Sequence, residues 1–99
     1  MSLFMIRRDV PGASRDDVDA AAYRAIACAF NFEGLHWVTS YWDEAAGRLS
    51  CIYEAEGAEQ LADHARRARI PCDEVRPVLE LGPGNYVDAT AENPSLLQS

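Results

Sequence analysis

Hydrophobic and polar positions change their period along the chain, and the changes mark the elements. Residues 3–9 read as a strand, with Phe4 and Ile6 on one side and Met5, Arg7 and Asp9 on the other. Val10-Pro11-Gly12-Ala13 is turn chemistry. Ser14 then stands as an N-cap with Asp17 three residues on, and Asp16, Asp17 and Asp19 suit the positive end of a helix. Val18, Ala22, Ala25, Ile26, Ala29 and Phe30 recur at helical spacing, which predicts a helix over 15–31. Residues 35–42 are aromatic and β-branched, 43–47 form a hairpin loop, and 48–55 return as a strand. Ala58, Leu61, Ala62, Ala65 and Ala68 share one face of a second helix over 58–68. Glu59 and Asp63 lead in it, Arg66, Arg67 and Arg69 trail, and Pro71 stops it. Residues 74–81 give a last strand. Gly82-Pro83-Gly84 closes the domain before an irregular tail over 82–99, which Tyr86, Val87, Leu96 and Leu97 are expected to anchor on the body or a partner subunit.

The order β-α-β-β-α-β, with short connections and right-handed crossovers, predicts an α+β ferredoxin-like sandwich over 1–81. Its four-stranded antiparallel sheet runs fourth, first, third, second, and both helices cover one face. The other face is left open. A hairpin symmetric about its loop pairs Trp37 with Tyr53, Thr39 with Cys51 and Tyr41 with Leu49 on the helix side. Val75 and Leu79 join them. The open face then shows His36 and Glu54 with Glu80 at one end, and Met5, Val38, Ile52 and Val78 in the middle. Arg7, Asp9, Trp42 and Arg76 lie at the far end. An uncovered apolar band calls for a cover, and the same face of a second copy is the simplest one. The expected assembly is a homodimer with open faces opposed.

Composition narrows the chemistry. The chain has 99 residues, 48% hydrophobic and 25% charged, which suits one small folded domain and not a disordered one. Sixteen acids against nine bases give a net charge of −7, so a phosphate-backbone footprint is missing and nucleic acid is not an expected partner. All nine bases are arginine, which excludes Schiff-base lysine chemistry and a Walker-type phosphate loop. Cys28, Cys51 and Cys72 are an odd, widely spaced set, which fits a reducing cytoplasm. The short apolar run before Arg7-Arg8 is the reverse of a signal peptide, so none is expected, and no stretch approaches a membrane-length apolar run.

His36 opposite Glu54 is the best-placed polar pair, suited to orienting an imidazole for metal or base work. Asp9, Glu80 and His64 are candidate additional metal ligands, although His64 sits at the flank of the second helix stripe, where a solvated histidine is the plainer reading. Trp42, Arg7 and Arg76 are candidate ligand-binding residues. The arginines would take a carboxylate ligand, or pair with Glu54 and Glu80 of the partner subunit. Cys51 faces the helices as a small hydrophobe. No nucleophile–base–orienter set is readable, so no catalytic residue is assigned.

Several strings together resemble one family. They are Phe4-Met5 opening a strand, Gly34-Leu35-His36-Trp37 into Ser40-Tyr41, Cys51-Ile52-Tyr53-Glu54-Ala55, and His64 followed by Ile70-Pro71. The family is one of small ferredoxin-like domains long catalogued as of unknown function, some of whose members are described as nickel-binding or nickel-responsive. The resemblance covers roughly residues 3–81, with Arg69 standing where the family usually has a glycine. It implies a dimeric, cytoplasmic protein whose cofactor is nickel or another divalent transition metal. The function expected first is a binding protein for such a metal or a small ligand on the open face. The alternatives are a cofactor-poor monooxygenase- or isomerase-type enzyme and a purely structural dimerisation module.

Overall fold

A computed structural model of the chain describes residues 2–86. Strands β1 (Ser2–Asp9), β2 (His36–Asp43), β3 (Arg48–Ala55) and β4 (Glu74–Pro77) form one antiparallel sheet in the order β2-β3-β1-β4. Helices α1 (Arg15–Ala29) and α2 (Ala58–Ala68) complete the βαββαβ succession. This is the expected α+β, ferredoxin-like fold.

Local chemistry accounts for the element ends. The Ser14 hydroxyl accepts from the Asp17 amide at 3.1 Å, and the Asp17 carboxylate accepts from the Ser14 amide at 2.9 Å, closing the capping box of α1. The helix stops at Ala29, two residues earlier than expected. After α2, Arg69 occupies the left-handed region at φ 58°, where the Ile70 amide reaches back to the Ala65 carbonyl at 3.0 Å. Glycine takes this conformation without steric cost and a side chain does not. Gly47 is required for a second reason. A Cβ there would sit 2.7 Å from the Pro11 backbone, because the hairpin loop packs on the β1–α1 turn.

Three rungs of side chains run across the helix side of the sheet. Phe4, Tyr53 and Trp37 make the first, Ile6, Cys51 and Ser40 the second, and Arg8, Leu49 and Trp42 the third. Phe4, Ile6, Cys51 and Tyr53 pack with Leu35, Ala55 and Leu61 into the core. The third rung departs from the symmetric hairpin. Trp37 pairs with Tyr53 as expected, but Val38 is an extra residue, and Thr39 pairs with Ile52. This β-bulge moves every later residue of β2 to the other face. Ser40 and Trp42, expected on the open face, lie on the helix side. Thr39 and Tyr41, expected inside, share the open face, where Tyr41 is exposed.

β4 is also shorter than expected. Pro77 has no amide to donate, and after one further bond, from the Val78 amide to the Leu3 carbonyl at 3.0 Å, the chain leaves the sheet. Leu79, expected in the core, is 88% exposed. Of the expected tail anchors, Tyr86 is exposed, while Val87, Leu96 and Leu97 lie outside the described residues.

Helix α1 leans on α2 more than on the sheet. The Arg24 guanidinium donates to the Ala68 carbonyl at 2.9 Å and the Arg69 carbonyl at 3.4 Å. Ala25 is the buried residue of α1. Ile26 and Phe30, expected on its packed stripe, are exposed, Phe30 because it follows the last helical turn.

Candidate functional site

The open face places the expected residues in ordered rows. Leu3, Glu54 and His36 share one row; Arg76, Met5, Ile52 and Thr39 the next; Glu74, Arg7, Ser50 and Tyr41 the next; Asp9, Arg48 and Asp43 the last. His36 stands directly opposite Glu54, as the hairpin reading expects. Met5 and Val38 are exposed beside the half-buried Ile52.

The remaining candidate ligands do not gather there. Asp9 is six residues along β1 from the position that pairs with Glu54, about 20 Å at strand rise. Glu80 lies beyond the end of β4 and belongs to no row of the sheet. His64, expected near the surface, is 0% exposed on the helix side, with its ring 5.7 Å from both Phe32 and Tyr53. Its position one turn after Leu61 puts it on the buried stripe of α2 with Ala65 and Ala68. Its Nε2 lies 2.8 Å from the Ala25 carbonyl, which makes Nε2 the protonated nitrogen, and burial pulls its pKa below the ordinary value. Among the described residues, no group of three or more His, Cys, Asp or Glu side chains is placed to hold a metal ion. The described residues of one chain therefore offer the pair His36–Glu54 and no third donor beside it.

Arg7 and Arg76 do reach the open face, but both turn to Glu74 of the same chain. Arg7 Nη1 is 3.2 Å from Glu74 Oε1, Arg76 Nη2 is 2.9 Å from Oε2, and Arg7 Nε is 3.4 Å from Asp9. Carboxylates within the chain thus occupy the positions expected for a ligand or a partner subunit.

The residue that sequence reasoning passed over is Arg8. It continues the inward parity of Phe4 and Ile6, and the side chain is 2% exposed. Its Nε lies 3.4 Å from Cys51 Sγ, Nη1 donates to the Pro71 carbonyl, and the guanidinium stands 6.0 Å from the Tyr53 ring centroid. No carboxylate of the described residues lies within ion-pair distance of it. Burial meanwhile pushes the Tyr53 phenol up to about 12, even with this cation nearby. Arg8 and Trp42 line a cavity of about 450 Å³ between the third rung and α1. Ala21, Ala22 and Ala25 face it from the helix, and their short side chains leave it unfilled. Arg8 Nη2 and Trp42 Nε1 are both buried without an acceptor among the described residues. Trp42 was expected as a ligand contact on the open face; the bulge carries it into this cavity instead.

The family described as nickel responsive protein SCO4226-like matches residues 4–78, a span that includes His36, Glu54 and the whole third rung. The chain belongs to this family. The crystal structure of SCO4226 from Streptomyces coelicolor A3(2) superposes with a TM-score of 0.74 at 26% identity, covering 82% of this chain and 100% of that one. No curated protein matches the sequence. Cys28, Cys51 and Cys72 are free thiols, and no helix of the described residues is long and apolar enough to cross a membrane.

Proposed function

We propose that the protein is a cytoplasmic homodimeric binding protein that takes a divalent transition metal, nickel in keeping with its family, where two open sheet faces meet. The observation that carries this reading is the cross-strand pair His36–Glu54 on an uncovered face beside exposed Met5 and Val38. Two donors are too few for a transition metal. A two-fold axis at the His36 end of the face doubles them to two imidazoles and two carboxylates, a nitrogen–oxygen set that suits nickel, zinc or copper. The same pairing covers the apolar band, and the site is incomplete without the second copy.

Light scattering and calorimetric titration with nickel chloride test the proposal together. The expected result is a dimer that binds one nickel per two chains, with binding lost in His36→Ala and weakened at least tenfold in Glu54→Gln. A monomer that binds no nickel, or affinity unchanged by His36→Ala, overturns it.

A further inference from the structure

We infer that the cavity between α1 and the sheet binds a small monocarboxylate with an apolar body, its carboxylate received by Arg8 and Trp42. This site lies on the opposite side of the sheet from the His36–Glu54 pair and does not depend on the metal reading.

The first argument is charge. A guanidinium taken out of water calls for a counter-charge, and among the described residues Arg8 has only a thiol and one carbonyl. The other charged groups at the cavity wall are already engaged. Arg15 is bonded to Asp19 at 2.8 Å, Asp17 to the Ser14 amide, and Arg24 to the carbonyls that end α2. One buried positive charge is left over, which matches one negative charge and disfavours a phosphate dianion.

The second argument is geometry. Arg8 and Trp42 flank Leu49 on one rung, so their backbones are two strand spacings apart, about 10 Å. Arg8 reaches Cys51 Sγ and the Pro71 carbonyl at the wall that Trp42 also lines, and each holds a buried N–H with no acceptor among the described residues, Nη2 and Nε1. A planar carboxylate has one oxygen for each donor. The third argument is lining. Val18, Ala22, Leu49, Ile70 and Pro71 make the rest of the wall largely apolar. A volume of about 450 Å³ falls within the range of small-molecule sites, which is roughly 300–1,000 Å³. An alkyl or aryl body fits these walls, and a polyol or sugar does not.

The test is calorimetric titration of the full chain, in the presence of EDTA, with phenylacetate, octanoate and the uncharged 2-phenylethanol. The expected result is one carboxylate bound per chain, at least tenfold tighter than the alcohol. Arg8→Met removes that preference. Ala22→Leu, which fills the cavity from the helix side, removes binding of acid and alcohol alike. Should Arg8→Met not fold, Trp42→Phe provides the same reading, by weakening the acids and leaving the alcohol unchanged. No binding of either acid at millimolar concentration, equal affinity for acid and alcohol, or an acid preference that survives both substitutions overturns the proposal. Because EDTA is present throughout, failure here leaves the nickel reading untouched, and loss of nickel binding in His36→Ala leaves this site untouched.

Discussion

Arg8→Met should stabilise the protein, although it deletes every hydrogen bond the side chain makes. The losses can be set out from the structure. The bond to the Pro71 carbonyl is charge-assisted, worth about 1.5–3 kcal/mol, but Pro71 is exposed and its carbonyl finds water instead. The contact with Cys51 Sγ is weak, and the guanidinium sits at the far limit of the Tyr53 ring, worth about 0.5–1 kcal/mol. Against these stands a buried cation with no carboxylate among the described residues, whose desolvation costs several kcal/mol, and an Nη2 donor unmatched among them that costs about 1–3 kcal/mol. Methionine keeps the apolar stem, and its flexible thioether packs against Leu49 and Tyr53. The net expectation is a gain of about 1–3 kcal/mol, in line with replacements of other buried charges by apolar residues. In a domain of this size each kcal/mol moves the melting temperature by about 4–8 °C. Urea unfolding at fixed protein concentration, followed by tryptophan fluorescence, measures the change, with the slope m confirming that the unfolded state is the same. A loss of about 1 kcal/mol or more at unchanged m would show Arg8 to be a satisfied structural group and refute the uncompensated-charge reasoning.

Three other expectations follow from named residues. His64 has its pKa lowered chiefly by burial, so the unfolded chain takes up that proton at higher pH than the folded one. The stability this residue contributes is present above its ordinary value of 6.5 and falls as pH drops below it, with a slope of at most about 1.4 kcal/mol per pH unit. His64→Gln should flatten that slope in denaturant titrations between pH 7 and 5, and identical slopes in the two proteins would reject the assignment. Arg69→Gly relieves the left-handed backbone at φ 58° and should raise stability by about 0.5–1 kcal/mol in thermal unfolding; a lower melting temperature would count against it. Deleting Val38 removes the bulge but keeps every existing pair of the β2–β3 hairpin, so Trp42 should stay inside; an acrylamide quenching profile showing a newly exposed tryptophan would contradict this register.

How far the fold was legible follows from which residues carried the signal. Ser14 and Asp17 announce α1, Pro71 follows the end of α2, and the parity of Phe4 and Ile6 sets the face of β1, all through local chemistry that needs no partner. The hairpin ends were equally plain, since His36–Glu54 and Trp37–Tyr53 pair as expected. What failed was the middle of β2. One extra residue, Val38, inverts everything after it, and β-branched valine carries no local sign that it will bulge. β4 was overestimated because Val78, Leu79 and Leu81 keep an apolar pattern past Pro77, where a missing amide ends the ladder. His64 was misplaced because its type suggested the surface while its spacing from Leu61 put it on the buried stripe.

Arg8 was legible in principle. The parity that buries Phe4 and Ile6 also buries the residue two further on, whatever its charge. A local rule that places a cation in a core is where sequence logic conflicts with stability, and such conflicts concentrate at functional positions. The same reasoning changes the meaning of the alanines on α1. Ala21, Ala22 and Ala25 satisfy helix propensity anywhere, yet over this rung they leave space that leucines would fill. A fold selected for stability alone would hold neither an unmatched guanidinium nor the void beside it. Finding the two on one rung, next to an indole with no acceptor, favours a ligand that completes all three over three separate imperfections.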